Sequence, residues 1–310
     1  MKRPGKKPPQ QPVPATVAHL GEDRLVAQLT RLLPAPDARV QIGIGDDCAA
    51  VRSGSKTLEL LKTDAVVEGV HFTAETDPAR VGWKALARAI SDIAAMGGWP
   101  EYALVTVAIP PSTPVLWMHG LYKGLRRAAR RFGIQIVGGE TTRSTGPVFA
   151  SITLTGRVEP NRCVSRSGGR PGDLLYVTGK LGGSLAGKHL DFLPRLEEAR
   201  WLVTHFKPSA LMDLSDGLGS DLPRMARASG CGYELDPDRV PRTRGASIAQ
   251  ALSDGEDFEL LLAHPAKNAA RLEAAWKKRF PRLPLTSIGC LTANPSAHSI
   301  PHGFDHFPQP

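Results

Sequence analysis

Three carboxylates crowd the stretch Leu211-Met-Asp-Leu-Ser-Asp-Gly-Leu-Gly-Ser-Asp221, and no Lys or Arg stands among them. Asp213, Asp216 and Asp221 are interleaved with the hydroxyls of Ser215 and Ser220 and with two glycines. An apolar, strand-like start runs into a glycine turn and then a helix-like run over 221–228. Carboxylates packed at such a turn repel one another unless a positive charge joins them. A hard cation such as Mg²⁺, together with a phosphate, supplies that charge. The competing reading is a capped helix start, with Ser220 or Asp221 as N-cap and acids at the positive helix end.

The same pattern recurs along the chain. Asp46 and Asp47 follow the strand-like Val40-Gln-Ile and two glycines, with no basic neighbour before Arg52. A hairpin tip is the bland use of such residues. Thr63 and Asp64 stand at the end of a strand containing Leu58, Leu60 and Leu61, where a hydroxyl and a carboxylate can share a metal. His71 follows in Gly-Val-His-Phe, although a lone His is more often a structural hydrogen-bonder than a catalyst. Asp92 falls inside a helix expected over 81–96, with Arg88 four residues earlier as a competing ion-pair partner. Residues 134–143 read as a strand, a glycine turn and then Glu140 with hydroxyls. Asp254, Glu256, Asp257 and Glu259 lie just ahead of, and within, a later strand. The turn Gly179-Lys-Leu-Gly-Gly-Ser184 resembles a phosphate loop only loosely, because it lacks the GxxxxGK[ST] spacing. Arg162, Arg166 and Arg170 form a basic set that is either a solvated linker or a phosphate contact. If the acids converge, they need divalent cations or their pKa values rise. Mg²⁺ held by a few carboxylates and substrate phosphates is the chemistry of nucleotide-dependent phosphoryl transfer.

The elements that must position these residues alternate between strand and helix patterns. Apolar spacing predicts helices over 22–33, 81–96, 117–132 and 267–280, and strands over 104–109, 148–158, 173–178 and 286–290. Strand-helix-strand units with acids at strand ends predict an α/β protein of the layered α+β kind. The 310 residues suffice for two domains. The divisions expected are a disordered basic tail over 1–18, an N-terminal domain over 19–160 and a C-terminal α/β domain over 161–310, with Pro160, Gly168, Gly169 and Pro171 near the boundary. The late aromatics Phe304 and Phe307 are expected to pack. A composition of 41% hydrophobic and 22% charged residues fits a soluble globular protein, and no apolar run is long enough to span a bilayer. The net charge of +9 raises a nucleic-acid reading, but aromatics are only 6% and show no base-stacking pattern. A basic surface that attracts anionic small substrates accounts for the charge equally well. Four widely spaced cysteines form no CxxC pair and point to a reducing cytoplasm.

Eight motifs, taken in order, resemble the thiamine-monophosphate kinase family. They are Gly43-Ile-Gly-Asp-Asp47, Thr63-Asp-Ala-Val-Val-Glu-Gly-Val-His-Phe72, Ser91-Asp-Ile-Ala-Ala-Met-Gly97, Gly138-Gly-Glu-Thr-Thr-Arg143, Arg166-Ser-Gly168, Met212-Asp-Leu-Ser-Asp-Gly-Leu218, Gly255-Glu-Asp257 and Gly303-Phe-Asp-His-Phe307. The ordered set is far more specific than any one member. The resemblance implies two domains, the N-terminal one with a mixed sheet that pairs into a barrel in a homodimer, and ATP and metals in a cleft. It implies transfer of the γ-phosphoryl of ATP to thiamine monophosphate, by direct in-line attack. Asp46, Thr63, Asp64, Asp92, Glu140, Asp213 and Asp216 then look like Mg²⁺ ligands, with Asp64, Asp92 and Asp216 nearest the chemistry. Gly139, Glu140, Arg166 and Ser215 look like ATP contacts, and His71, Glu256 and Phe304 like thiamine-phosphate contacts. Several Mg²⁺ ions, with K⁺ as a candidate further ion, are implied; nucleic acid and membrane are not. Two positions depart from the family pattern. Glu140 stands where Asp is frequent, and Lys62 stands where a small hydroxyl residue is frequent. The backbone carbonyl of Lys62, or its charge near phosphate, is expected to substitute. The alternatives are a related enzyme of the aminoimidazole ribonucleotide synthetase type, or a non-catalytic nucleotide- or nucleic-acid-binding protein.

Overall fold

A computed structural model of the chain describes residues 16–54, 56–294 and 300–307. Residues 1–15 of the expected tail lie outside that range, while Val17 and Ala18 open helix α1 rather than a disordered segment. The chain divides into two compact units, one of residues 1–35 with 305–310 and the other of residues 36–304.

In the first unit α1 is Val17–Leu20 and α2 is Glu22–Thr30, joined at Gly21. The second unit continues with β1 Val40–Ile42, β2 Ala49–Arg52, β3 Leu58–Val67, α3 Pro78–Ala95, β4 Trp99–Ile109, α4 Val115–Phe132, β5 Gln135–Arg143 and β6 Phe149–Val158. It then runs through β7 Asp173–Thr178, α5 Leu196–His205, β8 Ala210–Asp213, α6 Leu218–Ala228, β9 Gly232–Leu235, α7 Ile248–Ser253, β10 Leu260–Pro265, α8 Ala269–Arg279 and β11 Leu285–Thr292.

Two sheets result. The six-stranded sheet has the order β1-β2-β3-β6-β4-β5 and is mixed, because β4 and β5 run parallel through the α4 crossover. The five-stranded sheet β8-β10-β7-β11-β9 is antiparallel throughout. Strand β3 is longer than expected: it pairs with β6 from Leu58↔Val158 to Val67↔Phe149, so Thr63 and Asp64 lie within the strand and not at its end. Strand β5 likewise runs straight through Gly138, Gly139 and Glu140, where a turn was expected. The reason is close approach. A Cβ on Gly139 would lie 1.8 Å from the Val105 carbonyl oxygen, so only glycine fits the β4–β5 pairing there.

Helix α3 organises the second unit. Asp77 caps it by accepting the N–H of Ala79, and Pro78 stands in its first turn, where the missing N–H costs nothing. It is buried on nearly every side, against β3, β6, α4, α5 and the tip of β8. Its crossing with α4 is tight because two glycines face backbone: a Cβ on Gly82 or on Gly124 would sit 2.0 Å from the carbonyl oxygens of Leu121 and Ala79 respectively. One core joins α3 and α4 to the inner faces of both sheets, and a second fills the space between α6, α7 and the other face of the five-stranded sheet. Among the described residues no helix is long and apolar enough to cross a membrane.

Candidate active site

Three elements bring three acids together. Asp47 lies between β1 and β2, Asp92 is on α3 and Asp213 ends β8. One carboxylate oxygen from each lies within 4.8 Å of the others. They are 2%, 7% and 1% exposed, so the cluster is almost dry. Burial, then the charge of Asp47, pushes Asp213 up to about 7. Asp92 is also raised, by burial and, against the opposing charge of Lys62, by Asp213 and Asp64. Ser91 donates to Asp213 at 2.6 Å. Oδ2 of Asp47 is buried with no hydrogen-bond partner among the described residues. A set of buried carboxylates, with no thiolate or imidazole and one orphaned oxygen, fits a hard divalent cation such as Mg²⁺.

The sequence shows few cations near these acids, but the fold imports them. Lys62 Nζ lies 2.9 Å from Asp92, so its charge is paired with an acid of the cluster. Arg88 pairs with Asp64 at 3.1 Å and also donates to the Ala65 carbonyl, so the i,i+4 pair with Asp92 is not formed. The Arg166 guanidinium reaches Asp47 at 2.5 Å, and its backbone N–H donates to Asp46. Asp46 lies outside the three-acid cluster and is itself raised to about 6 by burial and the charge of Asp47. Asp64 and Asp216 are outside it too. Asp216 is bound by Arg224, which also meets Asp221 at 3.1 Å. Thr63 Oγ1 pairs with Ser151 across the sheet at 3.3 Å.

The opening stretch is re-read by α6. The helix begins at Leu218 with Gly217 as N-cap, so Ser220 and Asp221 occupy the first turn and neither is the cap. Asp221 is 0% exposed. Its Oδ2 accepts the Asp216 N–H at 3.1 Å, and burial with the charge of Asp216 pushes it up to about 7. The Ser215 carbonyl accepts the Glu256 N–H at 2.6 Å, joining this stretch to the Gly255-Glu-Asp257 turn.

The expected substrate contacts fare differently. His71 is buried, and its Nδ1 accepts the Val67 N–H at 3.1 Å, which is the structural bond of the bland reading. Glu256 accepts from Lys84 at 2.5 Å and lies 2.8 Å from His189 Nδ1. Burial opposes its charge, but His189, Lys84 and Arg88 outweigh it and hold the carboxyl down at about 2. Phe304 is 43% exposed, and its N–H donates to the Asp216 carbonyl at 2.9 Å. The glycine-rich turn is no phosphate loop, since the N–H groups of Gly182 and Gly183 are taken by Asp257 and Asp254. Gly139 and Glu140 sit on the exposed edge strand β5, where Glu140 accepts the N–H of Thr141.

Asp47, Lys84 and His189 are the site residues that sequence reasoning did not assign. Lys84 had a usable signal: 84, 88 and 92 are spaced by four and stack on one side of α3. His189, in a short 3-10 turn, had none.

Residues 45–158 match the AIR synthase related protein N-terminal domain, and residues 170–297 match the C-terminal domain of the same group. The chain is 33% identical to the thiamine-monophosphate kinase of Salmonella typhimurium, over 94% of this chain and 99% of that one. It is 38% identical to that of Rhodopirellula baltica, over 84% and 85%. Among solved structures, AaThiL complexed with AMPPCP and TMP superposes with a TM-score of 0.80 at 30% identity, covering 95% of this chain and 99% of that one. The hydrogenase maturation protein HypE of E. coli shares the fold, with a TM-score of 0.65 at 19% identity over 78% and 84%.

Proposed function

The chain belongs to the thiamine-monophosphate kinase family, and on that premise we propose that it transfers the γ-phosphoryl group of ATP to thiamine monophosphate, giving ADP and thiamine diphosphate. The observation that carries the reading is the buried cluster of Asp47, Asp92 and Asp213, with the orphaned Asp47 oxygen. Mg²⁺ held there supplies positive charge to screen the phosphoryl oxygens. Asp46, Thr63, Asp64 and Asp216 surround that cluster in sequence motif and are assigned to further ions. Asp64 and Asp216 each have one oxygen paired with an arginine, Arg88 and Arg224, and would share their carboxylates between that cation and an ion.

Arg166 is assigned to the nucleotide phosphates, with Gly139, Glu140 and Ser215 as further ATP contacts. Its Nε is buried without a partner, an unspent donor next to the acid cluster. Glu256, His71 and the exposed ring of Phe304 are assigned to thiamine monophosphate. No general base is needed, because the attacking phosphate oxygen is already anionic. The two sheets and the two matched domains support a division near residue 160. The chain works as a homodimer in this reading, in the cytoplasm, where ATP is available. Purified protein with MgATP and thiamine monophosphate is expected to form thiamine diphosphate. No product across a range of Mg²⁺ and K⁺ concentrations overturns the assignment.

A further inference from the structure

Lys84, in the first half of α3, is 0% exposed. An ammonium there is costly unless it is paired and hydrogen-bonded. Its Nζ donates to the His71 carbonyl at 2.6 Å and to Glu256 Oε2 at 2.5 Å, and lies 2.7 Å from His189 Nδ1. These partners come from three segments far apart in the chain: the loop after β3, the 3-10 turn Lys188–Leu190 and the turn before β10. His189 Nδ1 is also 2.8 Å from the same Glu256 oxygen. Glu256 therefore spends Oε2 on Lys84 and His189. Its Oε1 lies 3.8 Å from Arg88, beyond hydrogen-bonding distance. The Glu256 backbone is held at φ +52, a left-handed conformation that a Glu seldom adopts. Backbone and one oxygen are thus fixed, while Oε1 keeps only the long ion pair with Arg88.

A buried ion pair of this kind is rarely the most stable filling for its space, since apolar side chains of similar volume often do as well or better. What Lys84 provides is location. We propose that Lys84 is a positioning residue for the thiamine monophosphate site, locking the His71 and Glu256 segments together so that the Glu256 carboxylate faces the cationic ring of the substrate. The inference rests on the assignment of His71 and Glu256 as substrate contacts. Lys84 is sealed from solvent and acts only through them.

The test is steady-state kinetics on the full chain, beginning with the wild type. If the wild type does not turn over thiamine monophosphate, the proposed function falls and this inference with it. If it does, Lys84→Met is expected to raise KM for thiamine monophosphate by about tenfold or more, with KM for ATP within about twofold. In a Glu256→Gln background the same change is expected to add less than about twofold, because the group it orients is already altered. A lysine that serves folding alone lowers the thermal midpoint and moves both KM values alike, or adds its full loss to that of Glu256→Gln. Either result overturns the inference while the kinase reading stands. Should Lys84→Met fail to fold, Glu256→Gln against Lys84→Met/Glu256→Gln carries the test, since the double variant leaves no buried acid unpaired. Equal KM values support the inference, and a further loss of about tenfold overturns it.

Discussion

Asp213 is held in conflict: burial and the charge of Asp47 favour its neutral form, while Ser91 and Lys62 favour the carboxylate. Its carboxyl sits near 7 in the fold against 3.8 when free, so the folded state binds more protons than the unfolded chain between those values. Stability of metal-free protein must then fall as pH rises through that window and be lowest above about 7. Asp46 and Asp221 act in the same direction, whereas Glu256, held near 2 against 4.5 when free, acts in the opposite direction, but only below about pH 5. Thermal melts in chelator are expected to give a higher midpoint at pH 5 than at pH 8, with Mg²⁺ closing the gap. A midpoint that rises towards pH 8 without metal would refute it. Asp47→Asn and Asp213→Asn are each expected to lower turnover by about a hundredfold or more; Asp213→Asn should leave the metal-free fold as stable or more so, because one crowded charge is gone, whereas Asp47→Asn also takes the partner of buried Arg166 and should destabilise it. Turnover and chelator melts of the same samples check both halves. Asp92 and Asp213 were legible in the sequence because each acid interrupts an apolar run, Asp92 before Ile-Ala-Ala-Met and Asp213 after Ala-Leu-Met. Asp46 and Asp47 were not separable, since neighbouring side chains point in different directions and only the folded loop shows which one enters the cluster.

Helix α3 carries Lys84, Arg88, Ser91 and Asp92, so its placement sets the geometry of the site. That placement depends on Gly82 and Gly124, each opposed by backbone of the other helix. Gly124→Ala forces a Cβ towards the Ala79 carbonyl, and such overpacking is expected to cost about 1–3 kcal/mol. Denaturant unfolding measures the loss, and turnover at a temperature where the variant is folded should fall as well, because α3 must shift. Helix α3 itself was plain in the sequence from its apolar spacing, as were α4, β6 and β7. Strand β5 was not. Gly138 and Gly139 signal a turn locally, and only the β4 backbone beside them explains why they continue a strand. The cations were hidden for a related reason. Lys62 reaches Asp92 from another element, and Arg224 reaches back to Asp216 across the turn into α6.

At the scale of the molecule, among the described residues of the second unit, α3 packs on one face of the six-stranded sheet and residues on the other face are exposed. Inner positions of β3, β4 and β6 are buried, while Leu61, Tyr102 and Leu104 on the outer face are 42–48% exposed. Beside them β5 is an edge strand exposed along almost its whole length, with Val137 57% exposed. An apolar sheet face and an uncovered edge are what a monomer avoids and an interface uses. The alternation of strands and helices gave the class of fold, but not this surface. The order β3-β6-β4-β5 joins strands distant in the chain, and no local pattern encodes it. A second copy of the chain is the cover that the family resemblance implies, and Gly139 and Glu140 would then lie at the junction of the two copies. Light scattering is therefore expected to give about twice the 33.3 kDa of one chain. Leu104→Glu with Val137→Glu places like charges on both copies of that surface, and should yield monomers with the secondary structure intact. Activity should fall with the dimer, more steeply at low protein concentration. A double variant that stays dimeric, or a monomer with full activity, would remove this surface from the function.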